Sequence, residues 1–347
     1  MNLFWLRGDI LKNNKILIIG GAGYIGSVLT DYLLEKDYQV RSFDLFIYNH
    51  NQTILPYFHK PGYEFFYGDH TDSKAVEKVL EGISHVILLA GLVGDPITTK
   101  YPKESEKINH DGMLNLIDLL NGKGLERVIF VSTCSNYGLI ENDSLADENH
   151  ELKPLSLYAK AKVAIEKYLL SLKDKVDYSP TILRFATAFG LSTRMRFDLT
   201  VSEFARELFM GKELLVYDAN TWRPYCHVQD FAIVINKVLE ASLDKVAFEV
   251  FNAGGEINNY TKQMIVDSII SFLPDAKIKY KEHGTDPRNY RVAFNKIQEI
   301  LSFEPKFTIN DGIKELINAL KQHLFDNVEQ NKNFYGNYSI DYNVSIT

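Results

Sequence analysis

At 347 residues, with 46% hydrophobic and 24% charged side chains, the chain can bury a sizeable core, and its net charge of −7 speaks against a general nucleic-acid or anionic-membrane partner. Its two cysteines, Cys134 and Cys226, are too few for a disulfide framework and wrongly spaced for a zinc site, so no metal and a reducing cytoplasm are expected. No run approaches the roughly 18 apolar residues of a membrane span, and the opening MNLFWLRGDILKNNK offers neither a long apolar stretch nor a small-residue cleavage site.

In chain order, Lys15-Ile16-Leu17-Ile18-Ile19 reads as a strand that ends in glycines and leads into a helical pattern from Tyr24 to Lys36. Further strands are expected at Gln39–Phe43, Glu64–Tyr67, His85–Leu89 and Arg127–Val131, with helices around 72–81, 103–121 and 156–173 between them. Strands alternating with helices imply a mostly parallel sheet covered on both faces. After Leu183 the pattern loosens into Arg-, Asp- and Gly-rich loops around helices near 198–210 and 260–273, which suggests a smaller, discontinuous unit. The stretch from Asp326, rich in Asn, Tyr and charge, has no clear period and predicts no particular structure.

Gly20, Gly23 and Gly26, in Gly-Gly-Ala-Gly-Tyr24-Ile25-Gly, fall directly between the first strand and the first helix. One glycine makes the turn, one admits a pyrophosphate close to the backbone, and one lets helix pack on strand, while the helix N-terminus offers free N–H groups to phosphate. Asp44 closes the second strand, where a carboxylate accepts from adenosine ribose hydroxyls and repels a 2′-phosphate, so NAD is expected rather than NADP. A solvated turn aspartate is the plainer reading of Asp44. Asp69, followed by His70, reaches the adenine edge or caps a helix.

Tyr158 and Lys162 stand four residues apart in a helical segment and share one face. An ammonium beside a phenol favours phenolate, which suits tyrosine to take a hydroxyl proton as hydride leaves the carbon. The spacing alone equally describes a solvated helix surface. The strand before it ends in Ser132-Thr133 at the carboxyl edge of the sheet, where open α/β sheets collect ligands, and Thr133 can bond the oxygen that Tyr158 deprotonates. Ser132, Ser135 and Asn136 serve equally well to satisfy turn backbone.

These residues, with Gly68-Asp69, Leu89-Ala90-Gly91, Asn109 and Tyr137-Gly138, resemble the extended short-chain dehydrogenases, specifically the nucleotide-sugar epimerase/dehydratase family, over roughly residues 15 to 322. The resemblance implies a Rossmann-type doubly wound parallel α/β sheet in 15–183, with a strand near 228–254 returning to it. A smaller α+β substrate domain would occupy 184–325, and 1–14 and 326–347 would be terminal extensions. It further implies Tyr158 as base, Lys162 on the nicotinamide ribose, Thr133 on the substrate oxygen and Phe185 lining the nicotinamide pocket. Tyr24, Ile25, His70, Leu89, Ala90, Gly91, Asn109 and Ser132 would join the cofactor site, and Asn109 would support the active-site helix. Arg223, in Arg-Pro-Tyr-Cys-His-Val-Gln-Asp, Arg288, in Asp-Pro-Arg-Asn-Tyr, together with Thr187, Arg194 and Arg196, would bind the nucleoside-diphosphate sugar. The family's habit is a homodimer.

The family's dehydratases carry an Asp-Glu pair after the threonine, whereas this chain has Cys134-Ser135, so the acid and base that water elimination needs are missing there. Leu92-Val93-Gly94-Asp95-Pro96, Arg194-Met195-Arg196-Phe197-Asp198-Leu199 and the Asp-Pro-Arg-Asn-Tyr segment resemble a branch that includes C4 epimerases and C4 dehydrogenases of nucleotide-linked heptoses and hexoses in surface-polysaccharide pathways. A ketosugar reductase, a 4,6-dehydratase and a non-catalytic NAD-binding protein are the alternatives, in falling order.

Overall fold

The computed structural model describes residues 14–140, 144–284, 286 and 288–342. The stretch 1–13, most of the expected N-terminal extension, lies outside the described residues, as do Pro287 and 343–347. Seven apolar runs form one parallel sheet: β1 (Lys15–Ile19), β2 (Gln39–Asp44), β3 (Tyr63–Tyr67), β4 (His85–Leu88), β5 (Arg127–Thr133), β6 (Ser179–Phe185) and β7 (Glu249–Ala253). Their spatial order is β7-β6-β5-β4-β1-β2-β3, so the sheet winds outward in both directions from β1 and β4. A Rossmann-type doubly wound α/β fold results.

The two faces of the sheet follow from the period of two along each strand. Ile16 and Ile18 pack with Leu29 and Leu33 of the Tyr24–Glu35 helix and with Phe231, Val234 and Val238 of the Val228–Glu240 helix. Leu17 and Ile19 point the other way, onto Val76 and Val79 of the Ser73–Val79 helix, Leu116 and Leu120 of the Gly112–Leu120 helix, and Ile165 and Leu169 of the Leu157–Ser171 helix. Each such side chain, wholly buried, stabilises the fold by about 1.5–3 kcal/mol.

A second core joins Phe204 and Leu208 of the Thr200–Phe209 helix to Ile265 and Ile269 of Lys262–Ile270 and to Ile313, Leu316 and Leu320 of Ile309–Lys321. Beside it Thr187–Phe189 runs parallel to Tyr225–His227, and Asn259–Thr261 pairs antiparallel with Trp222–Pro224. Glu213–Tyr217 pairs parallel with Lys277–Lys281. No helix among the described residues is long and apolar enough to cross a membrane.

Two segments differ from their sequence pattern. The expected helix over 103–121 contains a π-helical turn, Glu106–Asp111, between Pro102–Ser105 and Gly112–Leu120. Tertiary hydrogen bonds of Asn109 accompany that turn, and periodicity cannot register them. The segment 326–342, from which no structure was expected, packs against the body of the protein: Val328 and Tyr335 are buried in the second core, and the Phe197 N–H donates to the Tyr335 carbonyl at 2.8 Å.

Candidate active site

Parallel register brings the ends of the strands to one edge: Asp44 of β2 lies level with Tyr67 of β3, and Thr133 of β5 with Phe185 of β6. A cavity of about 440 Å3 opens along this edge, lined by residues from both cores. Every residue expected at the site lines it except Asn109.

At one end the turn Gly20–Gly26 meets the N-terminus of the Tyr24–Glu35 helix. Gly20 has φ +92°, and a β-carbon there would lie 2.7 Å from the Ala90 nitrogen; at Gly26 one would lie 2.2 Å from the Gly20 carbonyl oxygen. A β-carbon on Gly23 would meet nothing closer than 3.4 Å, so that glycine leaves its space to the cavity. No side chain caps the helix and no acidic residue lies in its first turn, which leaves its N-terminal donors to an anion. This cradle fits a dinucleotide pyrophosphate.

Asp44 is mostly withdrawn from solvent, with a side-chain exposure of 10%, contrary to the plainer reading of its turn. It accepts from Ala22 N at 3.1 Å and Phe46 N at 2.8 Å and pairs with His50 at 3.3 Å. Burial pushes its carboxyl up, but the His50 ring and the two N–H groups more than reverse this and hold it below its ordinary value. Carboxylate oxygens have about four lone-pair sites, so ribose hydroxyls can still be accepted. Asp69 accepts from Thr71 N at 2.8 Å and from the Tyr342 hydroxyl at 2.7 Å. His70, which burial keeps below its ordinary pKa, bonds the Ile108 carbonyl at 3.0 Å, and the Tyr24 hydroxyl donates to the Gly190 carbonyl at 2.6 Å. The polar ends of His70 and Tyr24 are therefore committed to the protein.

Asn109, expected at the cofactor site and in support of the active-site helix, does not line the cavity. Its amide accepts from Leu92 N at 2.7 Å and donates to the Leu92 carbonyl at 2.9 Å, pinning the Gly91-Leu92 loop that lines the cavity.

At the centre, the Ser156 hydroxyl accepts from Ala159 N and caps the Leu157–Ser171 helix, which places Tyr158 in its first turn. Tyr158, Thr133, Ser132, Lys162 and Phe185 share the cavity. Thr133 Oγ1 accepts from Ser135 N at 3.1 Å, leaving its hydroxyl proton to donate elsewhere. Lys162 is buried, donates to the Val131 carbonyl at 2.7 Å and lies 5.9 Å from the centre of the Tyr158 ring. Burial pushes its ammonium down to about 8 against the opposing pull of Glu166. Burial likewise holds the Tyr158 phenol well above its ordinary value, and the cations that counter this are Arg196 and Arg288, whereas Lys162 had been expected in that role. The ammonium donates to the Val131 carbonyl and not to the phenol.

Behind this pair lies a network that the sequence reading missed. Glu166, one turn beyond Lys162, accepts from the Ser132 hydroxyl and from Asn136, and meets Arg184 at 2.8 Å in a fully buried ion pair. Ser132 thus serves this network and its hydroxyl is spent. The only signal in sequence was the four-residue spacing of Lys162 and Glu166 on one helix face.

At the far end, Arg196 grips Asp198 with two bonds, of 2.9 and 2.6 Å, and Arg288 grips Asp286 with two of 2.8 Å while reaching Asp95 at 3.0 Å. Arg223 pairs with Asp286 at 3.0 Å and lies over the Tyr290 ring. Arg194, only 3% exposed, has no carboxylate in hydrogen-bonding reach among the described residues; it bonds the carbonyls of Asn333 and Gly336 and the Asn337 side chain. Cys134 is buried and donates to the Arg184 carbonyl, and burial pushes its thiol far up, so it is withdrawn from the cavity, whereas Ser135 lines it. Thr187 lines the opposite wall, and Phe185 stacks on Phe231 with ring centres 3.7 Å apart.

The chain is similar to several known proteins over most of its length. It is 24% identical to the UDP-glucuronate 4-epimerase of Thermodesulfobacterium geofontis, covering 89% of this chain and 96% of that one. The crystal structure of UDP-glucose 4-epimerase from Thermotoga maritima with UDP-glucose superposes with a TM-score of 0.79 at 25% identity, over 89% of this chain and 99% of that one. The dTDP-glucose 4,6-dehydratase of Bacillus anthracis, solved in complex with NAD, superposes with a TM-score of 0.79 at 25% identity, over 92% and 99%. The model of the NAD dependent epimerase/dehydratase family matches residues 16–254. With the glycine cradle, Asp44 and the Thr133, Tyr158 and Lys162 cluster along one sheet edge, that match places this chain in the NAD dependent epimerase/dehydratase family, with NAD as its cofactor.

Proposed function

We propose that this protein oxidises C4 of a nucleoside-diphosphate sugar and, in its principal activity, returns the hydride to the opposite face as a 4-epimerase. The observation that carries this reading is the composition of the cavity wall after β5: Thr133 presents a free donor and Ser135 a hydroxyl, while the buried Cys134 supplies no acid. Bound NAD supplies the hydride acceptor for C4 and the donor for its return. Tyr158 takes the proton of the C4 hydroxyl as the carbon is oxidised and gives it back to the same oxygen after reduction. Arg196 and Arg288 favour the phenolate that the first half needs. Thr133 donates to the C4 oxygen, and the ammonium of Lys162 reaches the ribose on the nicotinamide side.

Arg223, with Arg288, takes the substrate diphosphate, because guanidinium forks bind phosphate oxygens bidentately. Asp286 gives up part of its hold on both when the diphosphate arrives. The Rossmann part is assigned to 15–183 with β7, and the sugar part to the remainder up to 325. Net 4-dehydrogenation or ketosugar reduction uses the same groups and differs only in whether the hydride leaves with the cofactor.

The test is incubation with UDP-, GDP-, dTDP-, CDP- and ADP-hexoses while absorbance of NADH is followed and products are identified by NMR. A C4 epimer formed without accumulation of NADH supports the reading. Turnover of none of these nucleotide sugars, or a product altered elsewhere than C4, contradicts it.

A further inference from the structure

The segment Asn333–Tyr342 borders the cavity and is bonded to two separate parts of its wall. On one side Asn337 Nδ2 donates to the Val93 carbonyl at 2.8 Å, Lys100 Nζ donates to the Tyr338 carbonyl at 3.0 Å, and the Asn337 N–H donates to Asp198 at 3.1 Å. On the other, the Tyr342 hydroxyl donates to Asp69 at 2.7 Å and lies 3.1 Å from Thr71 Oγ1. Ile340 and Tyr342 pack against the cluster formed by Tyr48 of the loop after β2 with Leu92, Ile97 and Ile108. Asn337, Tyr338 and Tyr342 line the cavity itself.

Arg194 is the second observation. Its guanidinium is held by this same segment, through Asn333, Gly336 and Asn337, and lies 4.7 Å from the centre of the Tyr48 ring, four residues beyond Asp44. Its neighbour Thr193 donates to the Thr53 carbonyl, also in the loop after β2. The residue is 3% exposed and lines the cavity, and its Nε has no hydrogen-bond partner among the described residues. A buried guanidinium with an idle donor and no carboxylate in reach is a site for an anionic oxygen. Its place beside the loop that follows Asp44 suits a diphosphate oxygen on the adenosine side of NAD rather than the sugar nucleotide expected for it.

We propose that Asn333–Tyr342 is a strap that completes the NAD site: it holds Arg194 against the cofactor's diphosphate, closes over the adenosine half, and must detach before NAD can leave. A cofactor held in this way stays through the cycle, which suits a reaction that returns its hydride to the product. The proposal depends on NAD and holds whichever sugar is turned over.

The test measures cofactor retention. Purified protein is denatured, its NAD is quantified by chromatography, and intact protein is mixed with excess isotopically labelled NAD to follow exchange by mass spectrometry. The full chain is expected to retain NAD through gel filtration and to exchange slowly. An Ile340→Ser/Tyr342→Phe double variant, and a chain ending at Asn337, are expected to release NAD at least about tenfold faster, since such losses appear mainly in the dissociation rate. Arg194→Met is expected to weaken NAD binding as well. Circular dichroism and the unfolding midpoint without NAD control for folding, and the double variant decides the matter if the shortened chain does not fold. Equal exchange rates in the full chain and the folded double variant would overturn the proposal. That outcome leaves C4 chemistry untouched, whereas rapid release with C4 turnover intact supports the strap independently of the sugar.

Discussion

The Lys162 ammonium donates to the main-chain carbonyl of Val131 at 2.7 Å and stands 5.9 Å from the centre of the Tyr158 ring, so the lysine is fixed to the end of β5 rather than to the phenol four residues before it. It is buried, and that burial lowers its pKa from 10.5 to about 8. The unfolded chain therefore binds more protons than the folded one between about pH 8 and 10.5, and stability rises with pH across that window. Below it the buried charge costs on the order of 1–3 kcal/mol. Lys162→Met is expected to abolish turnover yet match or exceed the parent's stability at pH 7, with the advantage shrinking toward pH 10. Urea unfolding at several pH values checks this; a variant clearly less stable at pH 7 and level at pH 10 would show the sign to be wrong.

Breaking the Glu166–Arg184 pair should cost more than removing a surface charge. With side-chain exposures of 3% and 5%, Glu166→Gln leaves Arg184 buried and uncompensated and is expected to destabilise the fold by about 3 kcal/mol. Chemical denaturation measures the loss, and a change below about 0.5 kcal/mol, as for an exposed pair, would contradict the role assigned to the network.

Asp44→Asn should erode the preference for NAD. The substitution removes the charge that opposes a 2′-phosphate and weakens hydrogen bonds worth about 1.5–3 kcal/mol each at a charged acceptor, so NAD affinity should fall roughly 10- to 100-fold while the NAD/NADP ratio narrows. Calorimetric titration of both cofactors is the check, and an unchanged ratio would place the ribose elsewhere.

Gly26→Ala should disturb the cradle although it adds one methyl group. The new β-carbon would lie 2.2 Å from the Gly20 carbonyl oxygen and 2.8 Å from Gly21 Cα, both backbone atoms that cannot swing aside. Loss of NAD binding with a lowered unfolding temperature is expected; Gly23→Ala, which meets nothing closer than 3.4 Å, should lose cofactor affinity with little change in stability without NAD.

What could be read from the sequence was local. The Ile16–Ile19 alternation, the glycine turn, the carboxylate ending β2 and the Tyr158–Lys162 spacing each leave a short periodic or punctuated trace, and the sheet follows from stacking such traces. The positions of Asn109 and Arg184 leave no such periodic trace and Glu166 only its four-residue spacing from Lys162, because their roles come from partners 17 to 34 residues away: Leu92 for the first, Ser132 and each other for the rest. The strap is the extreme case. Its order comes from hydrogen bonds to Asp69, Val93, Arg194 and Asp198, so an aperiodic Asn- and Tyr-rich tail reads as structureless until those partners are seen in space.

The central claim, proton transfer by Tyr158 during C4 redox chemistry without elimination, is tested most directly by turnover in D2O. A 4-epimerase moves the C4 hydride to bound NAD and back, so the product is expected at unchanged mass with no deuterium on carbon, and Tyr158→Phe should slow its formation by about 10²- to 10⁴-fold while NAD stays bound. Deuterium at C6 together with loss of the mass of a water would contradict the account, showing that some group other than residues 134 and 135 supplies a dehydratase's acid and base.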